Sequence, residues 1–201
     1  MAKKIPYGLT DYFRIVTEDF YYVDKTKYIE DLEKTAAFLF LIRPRRFGKS
    51  LFLNMLNCYY DVKYADRFEE LFGNQYIGNH PTAEQGKYLV LRFNFSMVRA
   101  TDDKLEAAFN RHISLETAYF ASVYASYFKP DFQEQLKLIP EAAGRLEYIC
   151  LCAKEQGLSI YLLIDEYDNF TNTILSSKGN DVYHSLTHDS GFYRSFFNVV
   201  K

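Results

Sequence analysis

The chain has 201 residues, and its 48% hydrophobic content suits a soluble globular protein of one domain with room for a small appendage. A formal net charge of -2 excludes a strongly basic nucleic-acid binder and a polyacidic tail, leaving room only for a local basic patch. The longest apolar run, residues 36–42, is far short of the ~20 residues a membrane helix needs, and no apolar region backs the N-terminal lysines. A cytoplasmic chain with no signal peptide and no membrane partner is the expectation.

In chain order, Phe20 to Val23 reads as a short aromatic strand. Asp24 follows as the cap of a helix whose face carries Tyr28, Ile29 and Leu32. Residues 36–42 (AAFLFLI) form a continuous apolar run, the pattern of a parallel strand buried on both faces. A helix starts near Gly48, with Leu51, Phe52, Met55, Leu56 and Tyr59 on one stripe. Residues 88–95 (YLVLRFNF) read as a second strand. Thr101 or Asp102 then caps a long helix whose 3.6-residue rhythm is broken only by the polar His112 and Glu116. Pro140 suits the first turn of another helix and Gly157 its C-terminal stop. Residues 159–164 (SIYLLI) are a third buried strand, and an aromatic helix over about 189–201 follows. Strands alternating with helices predict an α/β architecture with a parallel sheet.

The 18 Tyr and 18 Phe, with no Trp, read first as core and second as a base-stacking surface. Cys58, Cys150 and Cys152 are an odd set. The last two are too close for an ordinary bridge and lack the C-x-x-C spacing of a zinc or redox site. Reduced core thiols in a reducing compartment are expected.

The segment FLFLIRPRRFGKSLFLNML places a strand, a short loop and an amphipathic helix in that order. Backbone N–H groups at a helix N-terminus point at phosphates, and the helix dipole favours negative charge there. Gly48 lets the backbone come close, Lys49 reaches the β- and γ-phosphates, and the Ser50 hydroxyl ligates Mg²⁺. The candidate nucleotide-binding residues are Arg43, Pro44, Arg45, Arg46, Phe47, Gly48, Lys49, Ser50 and Leu51. The usual pattern is G-x-x-x-x-G-K-[ST], and Arg43 stands where its first glycine would be, so the match is incomplete. Arg43, Arg45 and Arg46 add charge near the phosphates, form a basic lip for a partner, or are simply solvated.

Asp165 and Glu166 stand at the end of the third strand. In a doubly wound sheet the C-terminal strand ends line the ligand crevice. An Asp there holds the Mg²⁺ shell, and a neighbouring Glu orients or deprotonates the attacking water. Asp168 is a candidate supporting group. A plain strand end re-entering water is the competing explanation. His184 and His188 are four apart but lack a third ligand, so no metal pair is read from them. His80 and His112 suggest no catalysis.

Five stretches together resemble one family, the AAA-ATPase-like proteins of bacteria. They are YYVDKT (Tyr21 to Thr26), RPRRFGKSL (Arg43 to Leu51), LRFNFS (Leu91 to Ser96), LLIDEYD (Leu162 to Asp168) and the ending FYRSFFNVVK. The resemblance implies a P-loop NTPase-like parallel sheet flanked by helices, with ATP and Mg²⁺ as the bound species. It also makes Arg43 the family's own loop variant, Lys49 and Ser50 the triphosphate and Mg²⁺ residues, and Asp165 and Glu166 the metal-shell and catalytic acids. For Asp24, Lys25 and Thr26 it implies only proximity to the nucleotide.

Longer members often add a PD-(D/E)XK nuclease-like domain and continue past the point where this sequence ends, with a strand carrying a polar γ-phosphate sensor. The expectation is therefore a nucleotide-binding domain over residues 1–201, incomplete at its C-terminal side. Such a chain alone binds nucleotide weakly or not at all and shows no significant turnover. ATP hydrolysis is expected in a full-length form. The rivals are a non-hydrolysing nucleotide-dependent switch or scaffold, with a protein partner, and a nucleic-acid-handling protein.

Overall fold

The computed structural model describes residues 3–35, 37–42, 44, 46–98, 105–167, 170, 172, 175 and 191–200. They divide into two compact units, Met1–Val90 and Leu91–Lys201.

In the first unit, helix α1 (Tyr12–Thr17) begins at Asp11, whose carboxylate accepts the Arg14 N–H at 3.2 Å. Helices α2 (Tyr28–Glu33), α3 (Lys49–Tyr60), α4 (Phe68–Phe72) and α5 (Tyr76–Asn79) follow, with a 3-10 turn at Val62–Arg67. The core is aromatic. Tyr12 stacks on Phe72 at 5.2 Å between ring centroids, and Tyr59 meets Phe72 edge-on at 5.4 Å. Edge-to-face and offset pairs of this kind add about 0.5–1.5 kcal/mol beyond area burial, so here the aromatic excess is structural.

Strand β1 (Leu89–Asn94) carries the chain into the second unit, where α6 (Leu105–Val123), α7 (Phe132–Lys137), α8 (Ala142–Glu155), strand β2 (Ile160–Asp165) and α9 (Phe192–Val200) follow. α6 packs on α7 and α8, and α8 packs on α9. Phe93, Phe95, Phe109, Phe170, Tyr193 and Phe196 pack as one cluster of buried rings. The sheet is a parallel pair, β1 beside β2, flanked by helices, which makes the chain α/β. No helix among the described residues is long and apolar enough to cross a membrane.

Several expectations hold within a residue or two: both later strands, the long helix, and the stop at Gly157, where φ is +66°. Others are corrected. Residues 37–42 form no strand, and Phe38, Phe40 and Ile42 are 54%, 71% and 84% exposed. An apolar run reports only that a segment is apolar. A strand buried on both faces also needs ladder partners, and β2 takes β1 as its neighbour instead. Phe20 makes a single parallel bridge with Lys4 rather than a strand. Asp24 does not cap α2, whose N-cap is Lys27 without a side-chain bond. Of the thiols, Cys58 is buried but Cys150 is exposed, so the core assignment fails for Cys150. Thr101, Asp102, Asp168, His184 and His188 lie outside the described residues.

Candidate functional site

The loop before α3 turns on two left-handed residues, Arg46 at φ +66° and Gly48 at φ +77°. Between them the Phe47 N–H donates to the Pro44 carbonyl at 3.4 Å. A Cβ on Gly48 would meet nothing within 4 Å, so glycine is required there by conformation, not by space. Gly48 is the N-cap of α3 and offers no side-chain acceptor. The first helical bond runs from the Phe52 N–H to the Gly48 carbonyl at 2.9 Å. The N–H groups of Lys49, Ser50 and Leu51 therefore have no intrahelical partner. A run of such donors at the positive end of a 12-residue helix is a ready seat for an anion.

Lys49, Ser50 and Leu51 are half-buried, while Pro44, Arg46, Phe47 and Gly48 are exposed. Among the described residues neither Lys49 nor Arg46 has an acidic partner. Asn54 fixes the start of the helix by donating to the Ser50 carbonyl at 2.8 Å. Arg43 and Arg45 lie outside the described residues.

The acidic end is built in the second unit. Asp165 is the last residue of β2 and is 8% exposed. One carboxylate oxygen accepts the Glu166 N–H at 3.0 Å, and no cation among the described residues pairs with it. A buried carboxylate held by one hydrogen bond is costly unless a cation joins it. Glu166 sits at φ +55°, a left-handed conformation that costs a side-chain-bearing residue about 1 kcal/mol or more. The Tyr193 hydroxyl donates to the Tyr167 carbonyl at 3.2 Å and anchors the turn.

Because β1 and β2 run parallel, Asn94 ends β1 on the same side of the sheet where Asp165 ends β2. The Asn94 carboxamide oxygen accepts from the Ser96 N–H at 3.1 Å and the Ser96 hydroxyl at 2.8 Å. Its amide N–H groups have no hydrogen-bond partner among the described residues. The buried His112 ring lies beside the Asn94 backbone. Asn94 was not singled out in the sequence, although a polar residue closing a strand of LRFNFS is the signal that marks it.

A family model described as predicted AAA-ATPase matches residues 6–201. The chain belongs to the AAA-ATPase-like family. Within it, a stretch of 55 residues, 27% of this chain, is 49% identical to an uncharacterized protein in the vnfD 5' region of Azotobacter chroococcum. That stretch is 11% of the relative's length, so the chain matches only a small part of it. No solved structure matches with significance. For this AAA-ATPase-like chain, the loop lies in the first unit and the acidic pair in the second.

Proposed function

We propose that this chain binds Mg-ATP on the loop of residues 43–51 and forms the nucleotide-binding part of an ATPase. The observation that carries the reading is the uncapped start of α3, entered through two left-handed residues and opening on Lys49 and Ser50. Free N–H groups of that turn bind phosphate oxygens, and the Lys49 ammonium neutralises the β- and γ-phosphates. The donor set suits Mg²⁺, which takes one or two carboxylates plus phosphates and keeps several waters. In the first unit the Ser50 hydroxyl, and in the second the Asp165 carboxylate, are oxygens of the kind that ion takes, and it would offset the charge developing on the phosphates. Glu166 orients the attacking water in a full-length form, and the free amide of Asn94 is available to hold that carboxylate or that water in place.

The exposure of residues 37–42 bears on strength. In this reading they anchor the loop from behind, and a solvent-exposed segment outside the sheet holds the loop less firmly than a buried strand would. The 201-residue chain alone therefore binds nucleotide weakly and turns over none. Phosphate release from the purified chain tests this. Background rates with Mg-ATP are expected, and sustained hydrolysis would show the catalytic core complete without further strand pairing. A chain that binds but never hydrolyses, even in full-length form, would instead be a nucleotide-dependent switch.

A further inference from the structure

The YYVDKT segment is absent from the phosphate loop, yet it is among the most firmly tied stretches of the first unit. The Asp24 carboxylate accepts the Thr26 N–H with one oxygen and the Tyr76 N–H with the other, both at 2.7 Å. Thr26 is fully buried, and its hydroxyl oxygen accepts the Ile77 N–H at 3.1 Å. On the upstream side, the Tyr21 N–H donates to the Lys4 carbonyl at 2.8 Å beside the Lys4–Phe20 bridge. These ties hold Tyr21 and Tyr22 against Asn74 and Gln75 as walls of a cavity of about 220 Å³, with Leu71 and Asp19 also lining it. Nothing in the phosphate-loop reading uses this frame.

The lining has a specific chemistry. The carboxamides of Asn74 and Gln75 make no hydrogen bond among the described residues. Each carries a donor and an acceptor side by side, the arrangement that matches the edge of a nucleobase. Tyr21 supplies an aromatic ring that is 57% exposed, as a stacking partner must be. The volume is below the roughly 300–1,000 Å³ of sites for drug-sized molecules. A single ring system fits it; a whole nucleotide does not.

The cavity lies away from the phosphate loop. Leu71 precedes Phe72, whose ring meets Tyr59. Tyr59 follows Lys49 by ten residues in α3, about 15 Å along the helix at ~1.5 Å per residue. Through Phe72 the cavity's Leu71 is linked to the Tyr59 end of α3, not to the Lys49 end.

We propose that this cavity is a nucleobase-binding site, separate from the phosphate loop, in which Asn74 and Gln75 read the edge of the ring and Tyr21 covers its face. The base is supplied by a free nucleoside or by an unpaired nucleotide of a single strand. The site does not depend on ATP binding at Lys49.

The test uses the 201-residue chain and probes without phosphate: adenosine, guanosine, cytidine and uridine, followed in NMR spectra. At least one nucleoside should shift the side-chain amide signals of Asn74 and Gln75. The double variant Asn74→Ala, Gln75→Ala should weaken its binding at least tenfold, and Lys49→Ala should leave it unchanged. A short single-stranded oligonucleotide forms the second arm. Tighter, salt-dependent binding through the same two amides identifies a strand as the source of the base; binding no tighter than the nucleoside identifies a free nucleoside. The proposal is overturned if neither arm perturbs the amides at millimolar concentration, if binding survives the double variant, or if Lys49→Ala abolishes it.

Discussion

Asp24 and Tyr76 are 52 residues apart in the chain, and the Asp24 carboxylate accepts the Tyr76 backbone N–H at 2.7 Å. Together with the Thr26–Ile77 bond, this gives the DKT triplet a tying role within the first unit. Asp24→Ala should lower unfolding stability by about 1–2 kcal/mol, the range for losing hydrogen bonds to a charged acceptor at a partly exposed site. Asp24→Asn, which keeps one acceptor oxygen, should lose less. Chemical denaturation reads both, and the Lys49-dependent affinity for nucleotide should not change. A variant of normal stability with weakened nucleotide binding would instead place Asp24 near the nucleotide.

His112 makes stability depend on pH. Its ring is 8% exposed beside the Asn94 backbone, and Nε2 has no hydrogen-bond partner among the described residues. Burial pushes its pKa below the ordinary 6.5, outweighing the opposing pull of Glu116. The unfolded chain then binds the proton more readily than the folded one. The contribution is fully present above the unfolded value and is lost as pH falls through the folded one. Denaturation at about pH 7.5 and about pH 5.5, either side of the unperturbed value, should show a larger loss for the native chain than for His112→Gln. Equal losses would contradict the assignment.

Glu166 holds a left-handed backbone at the end of β2. Glu166→Gly should therefore stabilise the fold by about 1 kcal/mol, because glycine adopts that conformation without the Cβ penalty. The same substitution removes the carboxylate proposed to orient water, so a full-length form should lose turnover while keeping nucleotide binding. Glu166→Gln should lose turnover without the gain in stability. A destabilised Glu166→Gly would mean that the backbone there is not strained.

The parts of this fold that declare themselves in sequence are those set by local rules. Gly48 before Lys49 and Ser50 marks a helix start because only glycine sits easily at φ +77°, and α3 begins there. The largely apolar stretches YLVLRFNF and SIYLLI place β1 and β2 within a residue. Residues 37–42 mislead because hydrophobicity states what a segment would bury, not whether a neighbour exists to bury it. Asp24 misleads for a related reason. A carboxylate before a helix looks like a cap, but its partner, Tyr76, is remote in sequence and invisible to a local rule. The free carboxamides of Asn74 and Gln75 carry no sequence signal at all; only the fold sets them opposite Tyr21 and Tyr22.

The central claim is that the start of α3 holds the triphosphate through Lys49. Titration of Mg-ATP into the 201-residue chain and into Lys49→Ala, read to millimolar concentration, tests it most directly. The account predicts weak but measurable binding that falls at least tenfold, about 1.4 kcal/mol, in the variant. Equal affinity in the two proteins would contradict it.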